Sequence, residues 1–168
     1  MAKAPRPAKS AVAAPVNGIP AALAQDVRPG QSFQLLQALH ILTRDGKINQ
    51  DSRRKLKQVY HLYQFIEPLL RECIDARGDM TLVDHGAGKS YLGFILYDLY
   101  LKHLPVGHIH GVEHRKDLVA SGKLLAAELD FARMHFHDVS VQTAMQASNI
   151  PAKVDIVTAL HACDTATD

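Results

Sequence analysis

The chain of 168 residues has little that would place it in a membrane or in an oxidising compartment. No apolar run approaches the roughly 18 residues that a membrane-spanning helix needs, and Asp98 interrupts the densest run, residues 91–101. The only cysteines, Cys73 and Cys163, match neither a disulfide framework nor a metal-ligand spacing. These absences exclude a membrane-spanning protein and predict a reduced, cytoplasmic setting.

The N-terminal stretch lacks acidic residues before Asp26 and holds five of the eight prolines within its first 29 residues. It shows no apolar period, so we expect residues 1–30 to form a disordered arm. A targeting peptide would also be poor in acidic residues, but the prolines oppose an amphipathic helix and no secretory apolar segment is present. With the charge of this arm set aside, the remainder is nearly neutral, which does not indicate a nucleic-acid-binding domain.

Apolar residues at helical spacing follow the arm and predict an N-terminal helical segment over residues 31–78. We expect one helix over residues 31–42 and a longer one over about 51–76, which Gly78 ends. Pro68 predicts a kink or a break within the longer helix. The basic residues of its first turns are Arg53, Arg54, Lys55 and Lys57. They form either a solvated helix face or a surface that binds phosphate groups.

Strand patterns alternate with helix patterns over residues 79–168. The predicted strands are 81–84, 108–113, 134–139 and 153–160, and the predicted helices are 90–103, 116–129 and, more weakly, 143–148. Such alternation is typical of parallel strands joined by right-handed crossovers. The predicted fold class is therefore α/β, a Rossmann-like doubly wound parallel sheet of about four strands preceded by N-terminal helices.

A glycine-rich turn, Asp84-His85-Gly86-Ala87-Gly88-Lys89-Ser90, joins the first predicted strand to its helix. Its glycines allow a ligand to approach the backbone, and the helix N-terminus offers free N–H donors. A P-loop would need glycine at Val83, and a dinucleotide fingerprint would need a small residue at Tyr91, so neither motif fits. The pattern that remains, Asp-x-Gly-x-Gly, suits a cofactor with an amino-acid moiety, although such turns also occur in purely structural roles.

Acidic residues also end the second and third predicted strands. Glu113 is placed to accept hydrogen bonds from two ribose hydroxyls, and Asp138 is placed to reach an adenine amino group. Each has a local alternative, since Glu113 can interact with Lys116 at a helix start and Asp138 can act as a cap. Carboxylates at three successive strand ends, the first beside a glycine turn, favour a cofactor that contains a nucleoside.

Ten histidines raise the question of a metal site. His108 and His110 share one face of the second predicted strand, and His135 and His137 share one face of the third. A cluster would form if these strands were neighbours. No cysteine or carboxylate completes a ligand set, however, and histidines on half-covered strands are usually hydrogen-bonded or solvated. The sequence therefore predicts no metal.

Three stretches resemble the class I S-adenosylmethionine-dependent methyltransferases: residues 83–92, residues 111–113 and residues 159–168. The last contains the string Leu-His-Ala-Cys-Asp-Thr-Ala-Thr-Asp, which is similar to the branch that includes the ribosomal RNA adenine dimethylase domain-containing proteins. The resemblance extends over about residues 50–168. It implies that S-adenosylmethionine is the cofactor and that residues 79–168 are the cofactor-binding part of a methyltransferase domain.

The resemblance also implies which residues act. The cofactor-binding residues are Asp84, Gly86 and Gly88 at the methionine end, Glu113 at the ribose and Asp138 at the adenine, together with Lys89 of the same loop. His161 and Asp164 fall where the family lines its reacting centre and are the predicted catalytic residues. His161 would act either as a base or as a group that stacks on the cofactor. Ser90 stands where the family usually has a third glycine.

The implied function is methyl transfer to an unidentified acceptor, with RNA or protein favoured and no membrane partner. The alternative is a module that binds S-adenosylmethionine without turnover. The sheet of the family continues beyond four strands, so the fourth predicted strand would be an unpaired edge. We therefore expect either a chain truncated at its C-terminus or a partner chain that covers this edge.

Overall fold

A computed structural model describes residues 20–140 and 150–160 of the protein. The helices are α1 (Phe33–Ala38), α2 (Gln50–Arg77), α3 (Tyr91–Leu99) and α4 (Lys116–Glu128). The strands are β1 (Thr81–His85), β2 (His108–Glu113), β3 (Met134–Asp138) and β4 (Ile156–Thr158), and short 3-10 turns occupy Ala21–Leu23 and Leu101–His103. Within the described ranges, no helix has both the length and the apolar character needed to cross a bilayer.

The four strands form one sheet in the order β3-β2-β1-β4, and every neighbouring pair is parallel. The predicted α/β fold with a Rossmann-like parallel sheet is therefore confirmed. The chain moves outward from β1 to β3 and then returns to the other side of β1, where it forms β4. This reversal, at the carboxyl ends of the strands, is where open α/β sheets bind their ligands.

One face of the sheet packs against α3 and α4. A Cβ atom on Gly93 of α3 would meet side chains of Ile109 and Met134 at 3.4 and 3.6 Å, and one on Gly122 of α4 would lie 2.7 Å from the Phe136 ring. The two glycines therefore let both helices lie close to the strands. Side chains of β2 and β3 that alternate with these residues project from the opposite face.

Of the kink or break predicted at Pro68, the break does not occur, because helix α2 is continuous over 28 residues with Pro68 inside it. The side chain of Asn49 caps its first turn, and Gly78, with φ of 78°, ends it as expected. Proline removes one backbone N–H and leaves one carbonyl of the preceding turn without its helical partner. Because Pro68 and Gln64 are exposed, water can hydrate that carbonyl and the helix continues.

The predicted disordered arm is wrong for residues 20–30, which pack on the folded body. Leu23 and Val27 lie in the core, each only 5% exposed. The Arg53 guanidinium donates to both carboxylate oxygens of Asp26, at 2.7 and 2.9 Å. The rest of the predicted arm lies outside the described residues.

Two other predicted elements differ in length. Helix α1 is short because the chain turns at His40, whose φ is 58°. Strand β4 has three residues instead of the predicted 153–160, and Val157 within it is 61% exposed. In the described part of the chain β4 pairs only with β1, and a segment or partner that covers its other side stays a prediction. The weak helix predicted at 143–148 lies outside the described residues.

Asp79 ties the start of β1 to the residue before β2. Its Oδ1 accepts hydrogen bonds from the N–H of Gly107 at 2.7 Å and from the N–H of Met80 at 2.8 Å. These donors, Gly107 first, lower the pKa of the Asp79 carboxyl below its ordinary value. The ionised form therefore stabilises the fold above the unfolded-state pKa, and this contribution is lost as the pH falls through the folded-state pKa.

Asp79→Asn is accordingly expected to lower the free energy of unfolding at pH 7 by about 0.5–1 kcal/mol, a modest loss because the carboxylate is exposed. Urea unfolding should show this difference from the wild type shrinking as the pH is lowered from 7 to about 3, because protonation of the Asp79 carboxyl removes the charge that its two N–H donors stabilise. Asp45→Asn, in an exposed turn, is the matched control. A difference of equal size at both pH values would contradict the role of the charge.

Candidate cofactor site

The loop between β1 and α3 has an unusual backbone that requires its glycines. Gly86, Gly88 and Ser90 have φ values of 63°, 56° and 52°, all in the left-handed region. The N–H of Ala87 donates to the carbonyl of Val112 at 3.0 Å, which fastens the loop to β2. The loop is thereby held at the carboxyl end of the sheet.

Ser90 takes the conformation that the third glycine of the family would adopt more easily. A non-glycine residue in this region costs on the order of 1 kcal/mol and is often found at ligand-binding loops. Its Oγ atom is buried and, among the described residues, has no hydrogen-bond partner. A Cβ atom on Gly93 would come within 2.5 Å of this Oγ, so the glycine in α3 makes room for the Ser90 hydroxyl. The departure from glycine is therefore accommodated locally.

The three predicted carboxylates lie at the carboxyl ends of β1, β2 and β3 and project from one face of the sheet. Asp84 is opposite Gly111, and Glu113 is opposite Asp138. Because side chains alternate along a strand, Glu113 lies on the same face as Asp84 and Asp138. A Cβ atom on Gly111 would lie 3.4 Å from the Cβ of Ala87, so glycine at this position lets the loop pass over β2.

Glu113 is 5% exposed and is joined to the glycine loop. Its Oε2 accepts the N–H of Gly88 at 2.9 Å, and its Oε1 accepts the N–H of Arg115 at 3.0 Å. Burial, the largest single influence, raises the pKa of this carboxyl, but the Arg115 and Gly88 donors outweigh it and the net shift is downward. Glu113 is therefore ionised at neutral pH, and Oε2 keeps a further lone pair for a ligand donor.

Asp84 is 4% exposed, and its Oδ1 accepts a hydrogen bond from the hydroxyl of Thr158 at 2.7 Å. Thr158 lies directly opposite Asp84 in β4. Neither Thr158 nor Arg115 was predicted from the sequence as a partner of these carboxylates. The position of Arg115 two residues after Glu113 was an available signal, whereas nothing in the residue order shows that β4 pairs with β1.

The two other predicted cofactor-binding residues, Asp138 and Lys89, lie in different surroundings. Asp138 is exposed, and the Lys116 Nζ lies 3.9 Å from one of its oxygens. Lys89 is also exposed, but its side chain lines a groove of about 330 Å³ together with Gly122 and Leu125 of α4. The structure therefore brings Asp138 to the strand ends that hold the other two carboxylates, whereas Lys89 lines another groove.

The predicted catalytic residues His161 and Asp164 lie outside the described residues. Strand β4 ends at Thr158, three residues before His161 in the sequence. Their roles at the reacting centre therefore stay predictions.

Comparison with known proteins finds a matching family and a curated relative. A family described as "Methyltransferase domain" matches residues 54–168. Ribosomal RNA small subunit methyltransferase G of Streptococcus gordonii is 32% identical over 115 residues, which cover 67% of this chain and 46% of that protein. The chain thus spans about half the length of this relative.

Similarity to solved structures is lower. Monomeric WbdD is 14% identical with a TM-score of 0.47, and the match covers 58% of this chain and 22% of that chain. The plantazolicin methyltransferase BamL, solved with SAH and a triazolic desmethylPZN analog, is 14% identical with a TM-score of 0.40. That match covers 74% of this chain and 43% of the other.

Proposed function

The chain belongs to the methyltransferase-domain family, that of the S-adenosylmethionine-dependent enzymes, and from this we propose that it binds S-adenosylmethionine and methylates RNA. The observation that carries the proposal is the hydrogen bond between the Gly88 N–H and the Glu113 carboxylate. It joins a left-handed glycine loop to an ionised acceptor at the carboxyl edge of the sheet. Asp84 projects from the same face of the sheet.

The residues of this edge fit the chemistry of the cofactor. The ammonium, ribose hydroxyl and adenine amino groups of S-adenosylmethionine are all hydrogen-bond donors, and the carboxylates of Asp84, Glu113 and Asp138 are acceptors. Space beside the loop is open, since a Cβ atom on Gly88 would meet no atom closer than 3.9 Å. We assign the methionine end to Asp84, Gly86 and Gly88, the ribose to Glu113 and the adenine to Asp138. Lys89 is part of the loop that holds the cofactor, but its ammonium group does not bind the cofactor in this assignment.

S-adenosylmethionine supplies a methyl group bonded to a sulfonium sulfur, and the acceptor takes this methyl group from the side opposite the departing sulfur. The task of the chain is therefore to position the acceptor and to exclude water, with a base only where the acceptor needs one. In this proposal His161 and Asp164 line the reacting centre, and His161 serves either as that base or as a stacking neighbour.

RNA is favoured as the acceptor because of the likeness to a ribosomal RNA methyltransferase. The basic cluster at the start of α2 gives weaker support, because three of its four charges have partners within the protein. Arg53 pairs with Asp26, and Arg54 lies 3.8 Å from a carboxylate oxygen of Asp51. The Lys55 ammonium lies 4.5 Å from the centre of the Tyr91 ring. Arg54 and Lys57 remain exposed on this surface.

Two measurements on the full chain test the proposal. Saturating S-adenosylmethionine, at about 100 times its dissociation constant, is expected to add about 2.7 kcal/mol of stability and to raise the Tm by roughly 5–10 °C. The demethylated product should act similarly, and ATP should have no effect. Tritiated S-adenosylmethionine should then label small-subunit ribosomal RNA.

The outcomes separate the alternatives. Binding without transfer to any acceptor would favour the non-catalytic module, and labelling of protein alone would overturn the assignment of RNA. An unchanged Tm at high concentrations of S-adenosylmethionine would overturn the cofactor site itself.

A further inference from the structure

Four histidines form a cluster on the face of the sheet that lies opposite α3 and α4. The cluster consists of His108 and His110 on β2 and of His135 and His137 on β3. These strands are neighbours, and His110 lies directly opposite His135. The sequence left open whether such a cluster forms, and the strand pairing answers that question.

The spacing of three of these imidazoles suits a metal ion. One ring nitrogen each from His108, His110 and His135 lie within 4.8 Å of one another. The Nδ1 of His108 and the Nε2 of His135 are 3.3 Å apart. Zinc–nitrogen bonds of about 2.0–2.1 Å in tetrahedral geometry put two ligand nitrogens about 3.4 Å apart. Small side-chain rotations would therefore close the three rings around one ion.

His137 plays a different part in the cluster. Its Nε2 lies 2.9 Å from the Nδ1 of His110, an arrangement that leaves the Nε2 of His110 to bind an ion. The Lys123 charge also acts on His137 and would weaken metal binding by that ring. His137 is therefore suited to orient His110.

The surroundings favour neutral imidazoles. His110 is 6% exposed, and its neighbours on this face include Val83 and Val112, which are also buried. Burial among apolar side chains disfavours a charged imidazolium, and the neutral ring is the form that coordinates a metal.

We propose that His108, His110 and His135 bind one divalent transition-metal ion of the zinc type, with His137 orienting His110 and a fourth position open to water. The site is on the face of the sheet opposite the carboxylates of Glu113 and Asp138, so it is separate from the proposed methyl transfer. A bound ion would fasten β2 to β3, and its binding energy would add to the stability of the fold.

The test uses the full chain, stripped of metal with a chelator and then titrated with cobalt(II) and zinc. We expect one equivalent of cobalt, with the intense visible absorption of a tetrahedral site, which zinc then displaces. His108→Gln combined with His135→Gln is expected to weaken zinc binding about 100-fold or more. His61→Gln, an exposed histidine on α2, is the matched control and should bind like the wild type.

Circular dichroism and the Tm of the metal-free protein establish whether the double variant is folded. If the double variant is not folded, the single variant His108→Gln replaces it in the metal titration. Absence of stoichiometric binding by the wild type, or equal binding by the folded variants, would overturn the metal site. Metal-free wild-type protein should keep its affinity for S-adenosylmethionine, so failure of the metal site and failure of the proposed function are distinguishable.

Discussion

Glu113→Ala is expected to weaken the binding of S-adenosylmethionine by about 100-fold or more. The substitution removes the proposed ribose acceptor and also the partner of the Gly88 N–H, which fixes the loop. Hydrogen bonds to a charged group contribute about 1.5–3 kcal/mol each, and about 1.4 kcal/mol corresponds to a tenfold change in affinity. Isothermal titration calorimetry with S-adenosylmethionine and its demethylated product measures the loss.

Three further variants make this result specific. Glu113→Gln keeps one acceptor oxygen without the charge and should lie between the wild type and Glu113→Ala. Glu72→Ala, exposed on α2, and Lys89→Ala, whose side chain lines a different groove, should both bind within about twofold of the wild type. If the Glu113→Ala protein is folded and its affinity for S-adenosylmethionine is undiminished, the proposed cofactor site at the carboxyl ends of the strands is contradicted.

Phe94→Ala is expected to lower the free energy of unfolding by about 3–5 kcal/mol, the range found for buried aromatic residues. Phe94 is fully buried in α3, and its ring centre lies 5.7 Å from that of Phe136 and 6.3 Å from that of Phe131. The truncation would leave a cavity between the helices and the sheet. A domain of this size has a total stability of about 5–15 kcal/mol, so urea unfolding should show a large shift of the midpoint.

Phe65→Ala removes the same side chain from the surface of α2, where Phe65 is 61% exposed. Its free energy of unfolding should change by about 0.5 kcal/mol or less. Losses of equal size in the two variants would contradict the placement of Phe94 in the core.

The features that were predicted correctly are those encoded over short stretches of sequence. The change from helical spacing to strand patterns near Thr81 located the sheet, and the glycines at 86 and 88 located the loop between β1 and α3. Gly78 likewise marked the end of α2. Each signal depends on the conformational preferences of a few adjacent residues.

The features that were missed depend on contacts between distant residues. Leu23 and Val27 are buried, yet the surrounding prolines conceal any helical pattern in the sequence. Pro68 breaks an isolated helix but is tolerated where its neighbourhood faces water. The hydrogen bond from Thr158 to Asp84 requires the pairing of β4 with β1, which local sequence does not specify.

The hydrogen bond from the Thr158 hydroxyl to Asp84 has a thermodynamic consequence. It adds a side-chain link to the backbone pairing between β4, the strand that leads into the proposed reacting centre, and a carboxylate assigned to the cofactor. A molecule that repositions β4 from the acceptor side would therefore alter the affinity for the cofactor. Reciprocity then requires the cofactor to alter the affinity for that molecule by an equal factor, so binding of the acceptor and binding of the cofactor would be coupled through β4.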